Sequence, residues 1–245
     1  MAKQLLIYST VIPVTRQEHG DLCFKSEGRF DFARTANAAP LVLGEFQASA
    51  GEYAIVFAET EGTPVPVALF GIAPETNAFV DAEGHWSGTY VPAFLRRWPF
   101  VFSTDEKGET LTLCIDETAP GFNREGRGER LFDAEGSATV FTNRMLQFLQ
   151  EYQAQHQRTV EFCKRLQEFD LLQPVEARVE LGASGPRTLT GMRIVNREKL
   201  RGLTTEQLTE FMQNDWLELI YSHLFSLREL ERLREKAMTA LAAAA

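Results

Sequence analysis

In the first half of the chain, apolar residues come in short runs cut by proline, glycine and charge. Residues 5–14 are apolar but broken at Pro13, and Phe30-Asp31-Phe32-Ala33 alternates apolar with small or polar positions. Residues 1–38 therefore predict irregular chain with short extended pieces. Residues 40–50 predict a short helix with Pro40 in its first turn, where the missing N–H costs nothing. Residues 53–58 and 65–72 read as two strands around the turn Gly62-Thr63-Pro64. Ala78-Phe79-Val80 reads as a third strand, with a turn over 81–84. Residues 90–97 predict a short helix with Pro92 near its start, and Pro99 disfavours helical backbone at Trp98. Phe100-Val101-Phe102 and residues 111–115 predict a hairpin around Asp105-Glu106-Lys107-Gly108. Residues 119–136, rich in glycine and charge, predict a long surface loop.

From about Thr139 the period lengthens. Met145, Leu149, Tyr152, His156, Val160, Cys163 and Leu166 recur every three or four residues, one face of a long amphipathic helix. Leu171-Leu172-Gln173-Pro174 stops it. Residues 175–181 and 188–195 predict a second hairpin around 182–186. Thr204-Thr205-Glu206-Gln207 has the spacing of a capping box, and a second apolar run spans 216–230. The fold class expected is α+β: a mostly antiparallel N-terminal sheet with short helices, then two long amphipathic helices separated by a β-hairpin. The 245 residues suit one domain, with a sub-boundary near 137 between β-rich and helix-rich parts.

Composition narrows the function classes. A net charge of −9 argues against a nucleic-acid partner, whose phosphates need a basic face. No window approaches the roughly 20 apolar residues of a membrane-spanning helix. The N-terminal apolar run is too short for a signal peptide, which needs about 7–15 apolar residues before its cleavage site. A cytoplasmic location is the expectation. Cys23, Cys114 and Cys163 are far apart and show neither a CxxC pair nor a disulfide framework.

Chemistry is sparse. His19, His85, His156 and His223 are isolated, with no metal-ligand spacing, so no metal or other cofactor is expected. GxSxG, SxxK and phosphate-loop motifs are absent. Residues 77–100 form the densest block of aromatics, prolines and charge. In it, Asp81, Trp86, Tyr90, Arg96, Arg97 and Trp98 are candidate binding residues, with His223 of the last helical stretch beside them. Arginine stacks on aromatic faces and grips carboxylates with paired hydrogen bonds. One of Arg96 and Arg97 is expected to tie to Asp81, Glu83 or Asp116, and the other to face a ligand. Glu45 and Asp116 are acids in apolar surroundings, either paired with cations or tuned for acid–base work.

Several motifs together carry a family resemblance. They are Pro13-Val14 with Glu18-His19-Gly20, Glu45-Phe46, Tyr53-Ala54-Ile55-Val56-Phe57, Ala68-Leu69-Phe70-Gly71 and Asn77-Ala78-Phe79-Val80-Asp81. The densest is Tyr90-Val91-Pro92-Ala93-Phe94-Leu95-Arg96-Arg97-Trp98-Pro99-Phe100. It is followed by Leu113-Cys114-Ile115-Asp116-Glu117, Leu171-Leu172-Gln173-Pro174 and Tyr221-Ser222-His223-Leu224-Phe225-Ser226-Leu227. On these residues the chain resembles the bacterial SapC family. Ala54 departs from the pattern, where a proline is expected. The resemblance implies an association with bacterial surface layers, or an accessory role beside outer-membrane receptors. It implies no catalytic motif. The leading expectation is a non-enzymatic binding or accessory protein with a protein or small-molecule partner, and a homo-oligomer is compatible with it. The alternative is an enzyme using Glu45, Asp116, His19 or His223 as acid–base groups.

Overall fold

The computed structural model describes residues 7–60, 62–104, 110–181 and 185–243. The architecture is α+β, with antiparallel sheets in the N-terminal part and a long helix followed by a β-hairpin and further helices.

The largest sheet runs through both parts of the chain. β3 (Ala38–Pro40), β4 (Ile55–Thr60) and β5 (Thr63–Leu69) are joined by β10 (Leu172–Glu180) and β11 (Pro186–Val195), in the order β10-β11-β4-β5-β3. Ile55, Val56 and Phe57 are all buried, so β4 is covered on both faces rather than alternating between core and water. The helices supply that cover. α4 (Val140–Glu168) packs on β5, and α7 (Trp216–Ser226) packs on β4, β11 and α2 (Phe46–Ala50). Sequence reading places Pro40 in a helix, but it ends β3, paired with Val67; the helix proper begins at Phe46.

A second sheet, β1-β7-β6, contains the expected hairpin of β6 (Phe100–Thr104) and β7 (Leu111–Asp116), extended by β1 (Val11–Pro13). The expected turn at 105–108 lies outside the described residues, as do positions 182–184 of the other hairpin loop. The third sheet is small: β2 (Cys23–Phe24) lies between β8 (Phe122–Asn123) and β9 (Glu129–Arg130). Residues 119–136 are therefore not one loop. Two dipeptide strands inside them find partners on β2, which lies nearly 100 residues earlier and outside any local signal. Gly128 holds φ +86, and a Cβ there would run into the Phe24 carbonyl and Lys25. Only glycine allows this approach of β9 to β2.

Thr139 caps α4 by accepting from the Thr142 N–H at 3.3 Å. The expected capping box opens α6 (Thr205–Gln213): the Gln207 N–H donates to Thr204, and Gln207 Oε1 accepts from the Thr204 N–H at 2.9 Å. The short α5 (Arg197–Arg201) precedes it. The last apolar stretch divides into α7 and α8 (Glu229–Ala243). The predicted strand at 78–80 reduces to one bridge, Val80 with Trp86. Phe30-Asp31-Phe32-Ala33, read as an alternation, closes a 3-10 turn over Asp31–Ala33.

One apolar core draws on both parts of the chain, including Phe46, Tyr53, Phe57, Phe94, Phe162 and Phe211. A smaller cluster around Leu22, Phe100, Ile115, Leu131 and Leu149 fills the space under the second and third sheets.

Candidate functional site

The aromatic residues of the 77–100 block form part of a longer ladder. Trp86 stacks on Phe79 (centroids 5.7 Å, 20° between planes) and meets Phe70 edge-on at 5.2 Å. Its indole N–H donates to the Tyr53 hydroxyl at 3.1 Å and the Tyr90 carbonyl at 3.2 Å. Phe30 lies against its other side at 5.6 Å, followed by Phe32 at 5.8 Å from Phe30. Phe32 then stacks on Trp98 with centroids 3.9 Å apart and 14° between planes. Apolar packing thus continues without a break from the core to the surface. Trp98 Nε1 is buried and makes no hydrogen bond among the described residues.

The outer end of this ladder floors a cleft of about 460 Å3. Its walls are residues 24–32, the Leu95–Trp98 corner after α3 (Ala93–Arg96), and residues 116–121. That volume is within the range of small-molecule sites, roughly 300–1,000 Å3. Lys25, Arg29 and Arg96 stand on the rim with Glu27. Asp31 is held by Arg29 Nε at 2.7 Å and Arg34 Nη2 at 2.8 Å, which keep its carboxyl down at about 2.

The two adjacent arginines separate. Arg96 is exposed at the cleft; its Nε donates to the Val91 carbonyl at 2.9 Å, and its guanidinium lies over Tyr90 and Phe148. Arg97 is 3% exposed and lies over Phe94 (4.5 Å), Tyr152 (4.8 Å) and Tyr8 (5.7 Å). Burial raises the Tyr8 and Tyr152 phenols, against the pull of Arg97; Tyr152 reaches about 12.

Of the other candidates, Tyr90 is half-buried and donates to Glu45 Oε1 at 2.9 Å. Burial first, then the Glu45 charge, pushes its phenol up to about 12. Asp81 caps its own turn by accepting from the His85 N–H at 2.7 Å, with the His85 ring 3.6 Å away. Lys236 of α8 sits 4.8 Å from the centroid of the buried Phe79 ring.

His223 is fully buried, well inside the fold. In the tautomer its partners require, Nδ1 donates to the Ile55 carbonyl at 2.8 Å and Nε2 accepts from the Val195 N–H at 3.1 Å. β11 and β4 pair at Met192 with Ala58 and Arg193 with Phe57. Continued by two residues, that register would set Val195 opposite Ile55. The imidazole occupies the place of a ladder pair there and satisfies both strands.

Each acid–base candidate is held by a separate set of partners. Glu45 accepts from the N–H groups of Ala93 (2.6 Å) and Val42 (3.0 Å) as well as from Tyr90. Asp116 accepts from Ser9 N–H (2.7 Å), Thr10 N–H (3.1 Å) and the Thr118 hydroxyl (2.7 Å). Burial would raise its carboxyl, but these bonds outweigh that and hold it low. His19 Nδ1 lies 3.0 Å from the Thr15 N–H in the small helix α1 (Arg16–His19). Among the described residues, no three His, Cys, Asp or Glu side chains gather into a metal-binding group.

The cleft thus contains Arg96 and Trp98 from the candidate binding residues and Asp116 from the acid–base candidates. It adds Lys25, Arg29, Phe30 and Phe32, which sequence reasoning did not select. The available signal was Arg29-Phe30-Asp31-Phe32, a cation beside two aromatics two residues apart.

A family model for SapC matches residues 14–233, and the chain belongs to the SapC family. No curated protein and no solved structure matches it. No helix among the described residues is long and apolar enough to cross a membrane.

Proposed function

We propose that this SapC-family chain is a non-enzymatic binding or accessory protein, with the cleft beside Trp98 as its recognition site. A role in surface-layer or outer-membrane uptake systems is the setting that the family resemblance implies. The observation that carries the reading is the cleft floor: Phe30, Phe32 and Trp98 reach the surface as the exposed end of a packed aromatic ladder, beneath a charged rim. A rigid apolar floor with a few polar groups above it is the usual construction of a ligand site. Aromatics and arginine are also the residue types enriched where partners bind.

The enzyme reading draws less support. Glu45, Asp116 and His223 each spend their polar atoms on internal partners, and His19 spends Nδ1 on Thr15. Burial, and then Glu45, raise the Tyr90 phenol to about 12, away from the range useful for proton transfer near neutral pH.

The test is retention of small molecules from a bacterial metabolite extract, read by mass spectrometry, on the wild type and on Arg96→Ala. Circular dichroism confirms that the variant is folded. The reading expects compounds held by the wild type and lost from the variant. Equal retention by both, or retention by neither, contradicts it.

A further inference from the structure

We infer that the ligand of this cleft is an amphipathic organic acid, a flat apolar body carrying one anionic group. The inference rests on the reading of the cleft as the recognition site and adds the ligand's chemistry.

The apolar half follows from the floor. Phe32 and Trp98 stack nearly parallel, and Phe30 continues them, so the surface offered is extended and planar. Aromatic surface of this kind prefers a flat partner, by offset stacking or edge contact.

The anionic half follows from which charges on the lining are already spent. Asp31 is compensated twice, by Arg29 and by Arg34. Asp116 is saturated by donors from its own neighbourhood, Ser9, Thr10 and Thr118. The charge of Asp31 is thus offset by two cations, and Asp116 is buried with both oxygens engaged, so neither offers a free acceptor to a cationic ligand. On the cationic side, Lys25 is exposed on the rim, and its ammonium makes no hydrogen bond or ion pair among the described residues. Arg96 donates through Nε to the Val91 carbonyl at 2.9 Å and through Nη2 to the Tyr90 hydroxyl at 3.4 Å, which fixes its guanidinium and leaves Nη1 without a hydrogen bond among the described residues. A guanidinium held in this way can still donate to a carboxylate. Glu27, the remaining lining carboxylate, makes no hydrogen bond or ion pair among the described residues, and its charge acts on Arg29. With Arg34 counted, which pairs with Asp31 from outside the lining, the cations Lys25, Arg29, Arg34 and Arg96 stand against Glu27, Asp31 and Asp116, a local balance of +1 within a protein whose net charge is −9. Trp98 lines the same cleft, and its indole N–H, buried without a hydrogen bond among the described residues, is a resolved probe of what sits on the floor.

The experiment uses the full chain and three probes of one size and different charge: naphthoate, neutral naphthylmethanol and cationic naphthylmethylammonium. Affinity is read by calorimetry at low salt, and location by the NMR signal of the Trp98 indole N–H. Naphthoate is expected to move that signal and to bind about tenfold or more tightly than naphthylmethanol, as one charge-assisted contact allows. Lys25→Ala, a change on the exposed rim, is expected to remove part of that advantage by weakening naphthoate severalfold more than naphthylmethanol. Raising the salt should reduce the advantage as well. Equal affinity for naphthoate and naphthylmethanol, or tightest binding of the ammonium probe, overturns the inference while leaving the cleft reading intact. If no probe moves the Trp98 signal, both fall.

Discussion

His223 donates to the backbone carbonyl of Ile55 at 2.8 Å from inside the central sheet, where a strand pair would otherwise form. Its other ring nitrogen accepts from Val195, so the ring must be neutral to serve both strands. Burial pushes its pKa down to about 4, partly offset by the bond to Ile55. In the unfolded chain the ring takes up a proton below about 6.5, and in the folded chain it does not until about pH 4. Stability is therefore lost as pH falls from 6.5 towards 4, by about 3 kcal/mol in all, and regained as it rises. His156, also lowered by burial and then by Arg97, has the same sign. The His223 share is thus read as the difference between wild type and His223→Gln in denaturation midpoints across this range. The variant should be less stable at pH 7 and show a flatter acid slope. Parallel slopes would contradict the wedge role.

Arg97 should behave as part of the core. Its guanidinium contacts three aromatic rings while almost fully buried. A desolvated cation–π contact contributes about 2 kcal/mol. Arg97→Ala also leaves a cavity and is expected to cost roughly 3–5 kcal/mol in urea denaturation, the scale of large core truncations. Arg96→Ala, on an exposed side chain, should stay within about 1 kcal/mol.

Glu45 ties residues 42–45 to the start of α3 through Ala93 and Tyr90. Hydrogen bonds to a charged group contribute about 1.5–3 kcal/mol each. Glu45→Gln is expected to weaken at least two of them and cost roughly 2–4 kcal/mol by thermal or chemical denaturation. Removing the carboxylate charge should also bring the Tyr90 phenol down from about 12, seen as an earlier phenolate absorbance rise in alkaline titration. An unmoved Tyr90 titration would show that burial alone sets it.

Gly84 offers a test of the ladder's local support. It holds φ +88 beside the cleft, its carbonyl accepts from Phe30 N–H at 2.7 Å, and a Cβ there would come within 2.5 Å of Asp31 Oδ2. Gly84→Ala is expected to cost about 1–3 kcal/mol and to shift the Trp86 and Trp98 indole signals. Undisturbed signals would mean that the ladder does not depend on this turn.

Much of the fold could be read from local pattern. The strands around Ile55 and Val67, the long helix with Tyr152 and Cys163 inward, and the Thr204–Gln207 capping box all announce themselves in a few residues. The pairing of Cys23-Phe24 with residues 122–123 and 129–130 did not, because a two-residue strand has no period and its partners lie far along the chain. The candidate site was legible in part. The density of residues 77–100 pointed at Arg96 and Trp98, but spacing could not say which arginine faces outward. That depends on where Phe94, Tyr152 and Tyr8 meet in space. The cleft's other wall, Lys25 to Phe32, is brought there by the Phe30–Trp86 and Phe32–Trp98 contacts, which no local pattern encodes. His223 stood among apolar residues in the sequence, and its place between two strands follows from tertiary packing alone.

The central claim is that Arg96 and Arg97, adjacent in the chain, divide into a ligand contact and an internal tie. Calorimetric titration of naphthoate into Arg96→Ala, with its urea midpoint measured alongside, tests this most directly. The account predicts a stability within about 1 kcal/mol of wild type with affinity reduced about tenfold, the loss of one charge-assisted contact. Undiminished affinity, or an Arg96→Ala protein that no longer folds, would contradict it.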